Sequence, residues 1–477
     1  MRVFISLLLF LFVSGFALNS AHAAPTKWKI NKYIIVQQEP SAIRLPYSVE
    51  ILLQEKRDIG EEKGLTTKQM RALEQYFVDV GNEYQRQGFL EPQIDTLTKT
   101  GDAFEIFVFD YPNENNGPAR YGPICASVFF LPNADRYVRV DLSRILNGSK
   151  MATKAYDDIA HEMFHAIQQS YRLFKNNYNE KCELGGWITE ATAEAVGADM
   201  ALTLKKVKIN EIKTGPRDYS KPLYVQHASG ATQNRAYWTA SLWRYLGEYV
   251  SNGQKFPQVK QNKRPDYRYL QKFFMKTIDR YNQEAELDWL DDNLDAQFGT
   301  NLTNIYSNFI SSFAHYVPDR IGLSQKSYLK QVFGKCDQVT LTESITFVDT
   351  PRRKFSKVSA HCIEVIYTGG AKEIAVGIYL ESDKKTVDSI QHIGVRYHDA
   401  TGNKKIKVLP ASRGSLSSGK SFSDWTFEDV PFARHGRSSN VFIISNIAKR
   451  ASDTHANPNV SFRVSYATSE GDVSISK

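Results

Sequence analysis

The sequence has no stretch of 18 consecutive apolar residues, whereas a usual transmembrane helix needs about 20. Its longest apolar run, Val3–Phe16, lies near the start. The run follows Arg2 and precedes A-H-A at residues 21–23, a small-x-small pattern typical of signal-peptide cleavage. We therefore predict a signal peptide over residues 1–23, an exported chain that is periplasmic or secreted, and no stable membrane insertion. An uncleaved anchor is the alternative.

Cysteine is scarce, and no C-x-x-C spacing occurs, which argues against a zinc ion bound by cysteines. The four cysteines are Cys125, Cys182, Cys336 and Cys362. An even number in an exported chain usually means disulfides, and three pairings are possible. We favour Cys125–Cys182 and Cys336–Cys362, because each pair then stays within one predicted domain.

A strong excess of charge of one sign is also missing, since the formal net charge is +8 over 477 residues. Basic residues cluster at Lys260–Arg268 and Lys404–Lys407. Aromatic residues follow the first cluster, as in some nucleic-acid sites, but a helix that buries Tyr269 and Phe273 explains them more simply. We predict no nucleic-acid partner, and the basic balance leaves open an attraction to anionic polymers or membrane surfaces.

The motif H-E-x-x-H is present at residues 161–165. Residues four apart on a helix lie one turn above each other, so His161 and His165 point the same way. Two imidazoles at that spacing can hold one zinc ion, with Glu162 beside them. Helical phase predicts an apolar stripe, which includes Met163, on the opposite side of the helix. The alternative is an amphipathic helix with two structural histidines.

A third ligand is required, because a catalytic zinc takes three protein ligands and leaves one position for water. Glu190 follows His165 by 25 residues, which is enough for one helix to end and a second to begin. That second helix is rich in Ala and Gly, so its backbone can approach a neighbouring helix closely. Glu190 and Glu194 lie one turn apart, so one can bind the metal while the other accepts the free N–H of a ligand histidine. A surface pair of acids is the alternative.

HEMFH followed by WITEATAE resembles the gluzincin clan of zinc metallopeptidases, which includes thermolysin and the zinc aminopeptidases. The resemblance covers roughly residues 95–320, and the family within the clan is not assigned. It implies a general base, Glu162, and an acid that accepts a ligand N–H, Glu194. The zinc ligands that it implies are His161, His165 and Glu190.

The segment from Tyr237 to Leu246 resembles the aminopeptidase segment that carries a transition-state tyrosine, although Ala240 stands where Gly is usual. The resemblance implies that Tyr237 donates a hydrogen bond to the oxyanion on the attacked carbonyl. Plain packing of the ring is the alternative. His227 could perform the same task as an imidazole, and we rate it below Tyr237.

We predict an α+β fold. A zincin-like catalytic domain, in which a small antiparallel sheet and helices carry H-E-x-x-H and a downstream Glu, is followed by a C-terminal β-sandwich-like domain. The predicted boundaries are 1–23 for the signal peptide, 24–320 for the metallopeptidase domain and 321–477 for the β-rich accessory domain. The metallopeptidase domain is divided into an N-terminal segment at 24–100, a sheet at 101–145 and a helical part at 152–317. Helical spacing of apolar residues predicts a helix at Thr67–Gln87 in the first of these, and Gly299 marks a turn between helices in the last.

Aromatic and β-branched runs carry the strand predictions. Three of them precede the metal helix: Phe104–Phe109, Ala126–Leu131 and Tyr137–Leu142. Ala126–Leu131 is the candidate edge strand for holding an extended peptide. Beyond residue 319, seven short runs are separated by turn residues, such as the Ser- and Gly-rich residues 412–421, and this pattern is typical of a sandwich. The runs are Val339–Phe347, Cys362–Tyr367, Ile374–Tyr379, Ile393–Tyr397, Lys405–Val408, Val441–Ser445 and Val460–Tyr466.

We therefore expect an exported zinc metallopeptidase that hydrolyses a peptide or protein substrate with Zn²⁺ as cofactor. A second hypothesis is an exported binding or scaffold protein. Its metal site would be structural or vestigial, and its C-terminal β domain would bind glycans or cell surfaces. A third is an amidase that uses the same machinery on a non-peptide bond.

Overall fold

The computed structural model describes part of the chain, and all structural statements below concern that part. The signal peptide predicted at 1–23, the strand Ala126–Leu131, His227, the pair Cys125–Cys182 and the domain boundary at residue 320 lie outside it. The described residues are 32–37, 67–92, 103–109, 119–121, 138–141, 146–147, 150–171, 187–205, 219–224, 237, 239–256, 264–278, 283–312, 333, 335–371, 373–398, 404–409, 412–431, 439–448, 454 and 458–467.

A four-stranded sheet forms the N-terminal layer, in the order β1-β2-β4-β3. Its strands are β1 Lys32–Gln37, β2 Ala103–Phe109, β3 Ala119–Tyr121 and β4 Val138–Asp141. The prediction of an antiparallel sheet is wrong, because β1–β2 and β2–β4 pair in parallel and only the β3–β4 pair is antiparallel. Parallel neighbours need a long crossover connection. The predicted helix α1, Thr67–Gln87, lies in such a connection between β1 and β2.

Helices dominate the next part of the chain, after a short hairpin of β5 Leu146–Asn147 and β6 Lys150–Met151. They are α2 Thr153–Ser170, α3 Thr189–Lys205, α4 Ala240–Ser251, α5 Tyr269–Phe274, α6 Gln283–Phe298 and α7 Leu302–Ser312. Gly299 follows α6 with a φ of +62°, a left-handed backbone that favours Gly, and so makes the predicted turn into α7. None of the described helices is both long and apolar enough to cross a lipid bilayer.

Helices α2 and α3 approach each other closely because α3 is rich in small residues. A Cβ atom added at Gly197 would lie 3.0 Å from the backbone nitrogen of His161 and 3.1 Å from the carbonyl oxygen of Asp157. His161 and His165 are only 5% and 3% exposed, since α3 covers the face of α2 that carries them. The polar face of α2 therefore lies inside the protein, like its apolar stripe.

Two five-stranded sheets form the C-terminal part, in the orders β13-β12-β16-β10-β7 and β14-β15-β11-β18-β8. Ile378 of β11, Trp425 of β15 and Phe442 of β16 are buried in an apolar core that both sheets share. The elements are β7 Asp337–Leu341, β8 Phe347–Asp349, β9 Arg353–Lys354, β10 Ser359–Tyr367, β11 Glu373–Ser382, α8 Lys384–Ser389, β12 Ile390–His398, β13 Lys404–Leu409, β14 Ser412–Ser415, β15 Ser421–Pro431, β16 Ser439–Asn446, β17 Asn459–Val460 and β18 Arg463–Ala467.

These strands differ from the predicted runs in several respects, and the 11-residue strand β15 corresponds to none of the runs. Val339–Phe347 spans β7 and β8, and Val460–Tyr466 spans β17 and β18; in each case the two strands belong to different sheets. Residues 412–421, predicted as a turn from their Ser and Gly content, contain β14 and its turn into β15. Gly419 has a φ of +79° at that turn. The Ser and Gly content therefore indicated a true turn, but the turn covers only the five residues between the two strands.

The predicted disulfide Cys336–Cys362 is present. It joins the residue before β7 to β10, and the two strands pair in parallel. Asp337 and His361, which follow and precede the two cysteines, form a hydrogen bond between Asp337 Oδ2 and His361 Nε2 at 3.1 Å. The disulfide and this pair therefore fasten the same edge of the sheet.

One apolar core extends from the helices into the sheet that contains β16. Phe309 of α7 belongs to the same buried cluster as Val441 and Ile443 of β16. A backbone hydrogen bond of 2.7 Å from the Ala360 nitrogen to the Tyr219 carbonyl oxygen adds a second link. The helical part and the β-rich part thus share one continuous core.

Candidate metal centre

Two imidazoles project from one face of α2. His161 and His165 lie one helical turn apart, with ring centroids separated by 4.6 Å and ring planes at 86°. The helix begins after Ala152, which provides no side-chain cap, so packing of its apolar stripe must supply most of its stability. Both histidines are therefore fixed on a buried and well-packed helix.

Glu190 lies in the first turn of α3, opposite the two imidazoles. Its Oε2 atom is 3.2 Å from His161 Nε2 and 3.4 Å from His165 Nε2. One ligand atom from each of the three residues can be chosen so that all lie within 4.8 Å of one another. The structure thus brings together the three residues that the sequence proposes as metal ligands.

The donor set and its spacing fit a zinc ion. Zinc binds imidazole nitrogen and carboxylate oxygen at about 2.0–2.2 Å, so two ligand atoms of a tetrahedral ion lie about 3.4 Å apart. The two N–O separations to Glu190 are 3.2 and 3.4 Å. Two histidines and one carboxylate also leave one tetrahedral position open, as in hydrolytic zinc sites.

The other nitrogen of each imidazole has a partner of its own. His161 Nδ1 lies 3.4 Å from Glu194 Oε2, and Glu194 is 1% exposed. His165 Nδ1 lies 2.7 Å from the Oε1 atom of Gln168. Both rings are thereby turned with Nε2 towards Glu190. The sequence singled out Glu194 for this position and missed Gln168, whose one signal is its place three residues after His165 on the same helix face.

The electrostatics of the site favour positive charge. Burial lowers the pKa of His161, but hydrogen bonds to the Glu190 and Glu194 carboxylates outweigh burial and raise it well above its ordinary value. Burial also opposes ionisation of Glu190, but His165 and His161 hold the pKa of that carboxyl well below its usual range. Positive charge at His161 is therefore stabilised by the carboxylates of Glu190 and Glu194.

Glu162 lies beside His161 on α2 and is half-buried. Burial raises the pKa of its carboxyl; the two histidines lower it, and Glu190 and Asp158 raise it further. The net increase gives this carboxylate a higher affinity for protons than a surface glutamate has. That is the property expected of a group that accepts and returns a proton near neutral pH.

Tyr237 reaches the site from the segment that precedes α4. Its ring centroid lies 5.9 Å from that of His161. Burial raises the pKa of the phenol well above its ordinary value, and the carboxylates of Glu190, Glu162 and Glu194 add to this effect, as does a hydrogen bond with Glu190. The hydroxyl group is therefore protonated at neutral pH and able to donate a hydrogen bond.

Buried polar contacts fix the position of α3 relative to α4, α6 and the segment before α5. Trp187, two residues before α3, donates its indole N–H to Glu286 Oε2 at 2.5 Å. Burial raises the pKa of Glu286 to about 7. Farther along α3, Asp199 accepts a hydrogen bond of 2.6 Å from the Tyr267 hydroxyl and lies 3.3 Å from Arg244 Nε. Glu190 and Glu194 thus stand on a helix that is fixed at several points.

Comparison with known proteins adds no family. No protein-family model matches the chain, and no curated protein matches it. Among solved structures, the chain is similar to PliG of Aeromonas hydrophila, a periplasmic inhibitor of g-type lysozyme, with 10% identity and a TM-score of 0.16 over 28% of this chain and 100% of that one. It is also similar to a family GH115 4-O-methyl-α-glucuronidase with specificity for decorated arabinogalactans, with 11% identity and a TM-score of 0.15.

The second similarity covers 80% of this chain and 53% of that chain, so the chain spans about half the length of the glucuronidase. TM-scores of 0.16 and 0.15 are too low for either similarity to support an argument about fold or activity. Function must therefore be argued from the site itself.

Proposed function

We propose that the protein is an exported zinc-dependent metallopeptidase with a zincin-like catalytic part and a C-terminal β-sandwich-like part. The observation that carries this proposal is the convergence of His161 Nε2 and His165 Nε2 on one carboxylate oxygen of Glu190, at 3.2 and 3.4 Å. The remaining nitrogen of each ring faces a separate buried acceptor, as is usual for metal-binding histidines.

The residues of the chain take separate roles in hydrolysis. When bound by His161, His165 and Glu190, zinc supplies Lewis acidity and lowers the pKa of water towards neutrality. Glu162 accepts a proton from the attacking water and returns it to the leaving amine, a task that its raised pKa supports. Tyr237 keeps its proton, because its pKa is raised, and its hydroxyl donates a hydrogen bond to the oxygen of the attacked carbonyl as negative charge develops there.

Export is part of the proposal. The N-terminal segment 1–23 has the features of a signal peptide, and the Cys336–Cys362 disulfide fits an oxidising compartment such as the periplasm or the extracellular space. The substrate class that the site supports is a peptide or protein, because a proton-transferring carboxylate and an oxyanion donor near a zinc site suit attack on an amide carbonyl.

A digest tests this function directly. Purified mature protein is incubated with a broad peptide library, with and without a chelator, and cleavage is read by mass spectrometry. We expect cleavage that the chelator abolishes and that added Zn²⁺ restores. Metal bound without any cleavage would contradict the peptidase and leave the binding or scaffold protein as the better hypothesis. Cleavage that persists in Glu162→Gln at the wild-type rate would show that the assigned base is wrong.

A further inference from the structure

The side chain of Gln168 connects the two helices that carry the metal ligands. It is 3% exposed and lies on α2, one turn after His165. Its Oε1 atom is 2.7 Å from His165 Nδ1. Its Nε2 atom donates to the carbonyl oxygen of Thr189 at 2.9 Å and to the hydroxyl oxygen of Thr192 at 2.7 Å, both on α3.

These contacts determine which way the amide points. The carbonyl oxygen of Thr189 can only accept a hydrogen bond. The Thr192 hydroxyl uses its own proton to donate to the Ile188 carbonyl oxygen at 2.6 Å, so towards Gln168 it acts as an acceptor. Both groups therefore require the NH₂ end of Gln168, because the opposite orientation would set oxygen against oxygen. The Oε1 end is left to face His165.

The orientation of the amide in turn determines where His165 carries its proton. Gln168 Oε1 only accepts, so the 2.7 Å contact requires an N–H group on His165 Nδ1. In a neutral imidazole the lone pair then resides on Nε2. That is the nitrogen 3.4 Å from Glu190 Oε2. Thr189 and Thr192 also flank Glu190 in the first turn of α3, so the same side chain links one ligand to the turn that carries another.

We propose that Gln168 is a positioning residue of the metal site: it fixes the Nδ1–H tautomer of His165 and ties that ring to the turn of α3 that presents Glu190. This proposal rests on the proposed function, because it concerns the metal site. It goes beyond it by assigning the orientation of His165 to a neutral amide, whereas the carboxylate of Glu194 faces His161. Loss of such a partner of a ligand histidine typically lowers metal affinity about 10- to 100-fold.

The experiment combines metal titration with nitrogen NMR. Zn²⁺ affinity is measured by chelator competition for wild type, Gln168→Met and Gln169→Met. Gln169 is the matched control, since it is the next residue on the same helix and only half-buried. Thr192→Val removes one acceptor while leaving the Thr189 carbonyl to orient the amide, so it should weaken Zn²⁺ binding less than Gln168→Met. We expect a 10- to 100-fold loss for Gln168→Met and no change for Gln169→Met.

The tautomer is read from ¹⁵N-histidine spectra of the metal-free protein at a pH where His165 is neutral. Wild type should show His165 as Nδ1–H, and Gln168→Met should lose that preference. Two outcomes would overturn the inference. One is an Nε2–H tautomer of His165 in wild type, a measurement that does not depend on the folding of any variant. The other is an unchanged Zn²⁺ affinity in a folded Gln168→Met protein. If wild type binds no Zn²⁺, the proposed function fails, whereas the tautomer measurement still decides what Gln168 does to His165.

Discussion

The buried carboxyl of Glu286 should make the stability of the protein depend on pH. Its pKa in the folded protein is raised from 4.5 to about 7, because burial outweighs the hydrogen bond from Trp187. The unfolded chain releases this proton at lower pH than the folded chain does. Stability contributed by the protonated group is thus fully present at low pH and is lost as pH rises from the unfolded value through the folded one.

The size of the effect follows from the two pKa values. A difference between 4.5 and about 7 corresponds to about 3 kcal/mol, of which about 2.5 kcal/mol is lost between pH 5 and 8. Glu286→Gln removes the ionisation and keeps an oxygen that can accept the Trp187 N–H. We therefore expect the variant to gain about 2.5 kcal/mol relative to wild type over that pH interval.

Urea unfolding of both proteins at several pH values, with chelator present so that metal binding does not contribute, measures this gain. The comparison between variant and wild type cancels the titration of other groups. The expected result is that the advantage of Glu286→Gln grows from pH 5 to pH 8. If the difference in unfolding free energy between the two proteins stays constant over that interval, the carboxyl titrates normally and the argument from burial is wrong.

Three further predictions concern the site and the sheet. Glu162→Gln should lower kcat about 10²- to 10⁴-fold while retaining zinc, as measured by metal analysis beside a peptidase assay; equal loss of zinc would point to a ligand role instead. Gly197→Ala should lower the free energy of unfolding by about 1–3 kcal/mol through overpacking. The higher helix propensity of Ala offsets about 1 kcal/mol of that loss. It should also weaken Zn²⁺ binding. The control is Gly247→Ala on α4, whose added Cβ would lie 2.8 Å from Pro265 Cβ; it should destabilise the fold without affecting Zn²⁺ binding. Removing the Cys336–Cys362 disulfide, with a sequence separation of 26, should cost about 3.5 kcal/mol of unfolding free energy, and an unchanged thermal midpoint of the double Ser variant would refute this.

Local patterns predicted the features that depend on neighbours in the sequence. The helix Thr67–Gln87 was predicted with its observed bounds, since Leu73, Tyr76, Phe77 and Val80 recur at helical spacing and are all buried. The two imidazoles and Glu190 could be associated before any coordinates, because a zinc site needs a third ligand and the 25 residues from His165 to Glu190 allow a second helix to follow the first. The close approach of α3 to α2 was foreseen from its Ala and Gly content.

Two features that depend on partners distant in sequence were not predicted. The parallel pairing of β1 with β2 is one case, because the residues of β1 carry no signal for the direction of a strand whose paired residues lie 71 positions away, as Ala103 does from Lys32. Gln168 is another. Its place three residues after His165 is the one signal in the sequence, and its role is defined only when Thr189 and Thr192 of the second helix lie beside it.

The burial of Phe309 with Val441 and Ile443 in one cluster has a consequence for any cut in the backbone between residues 312 and 333. The two resulting fragments would still be held together by the apolar surface that they cover for each other. Denaturing electrophoresis would report two pieces where gel filtration reports a single particle. Neither half could be expressed alone without exposing side chains that the intact chain keeps from water.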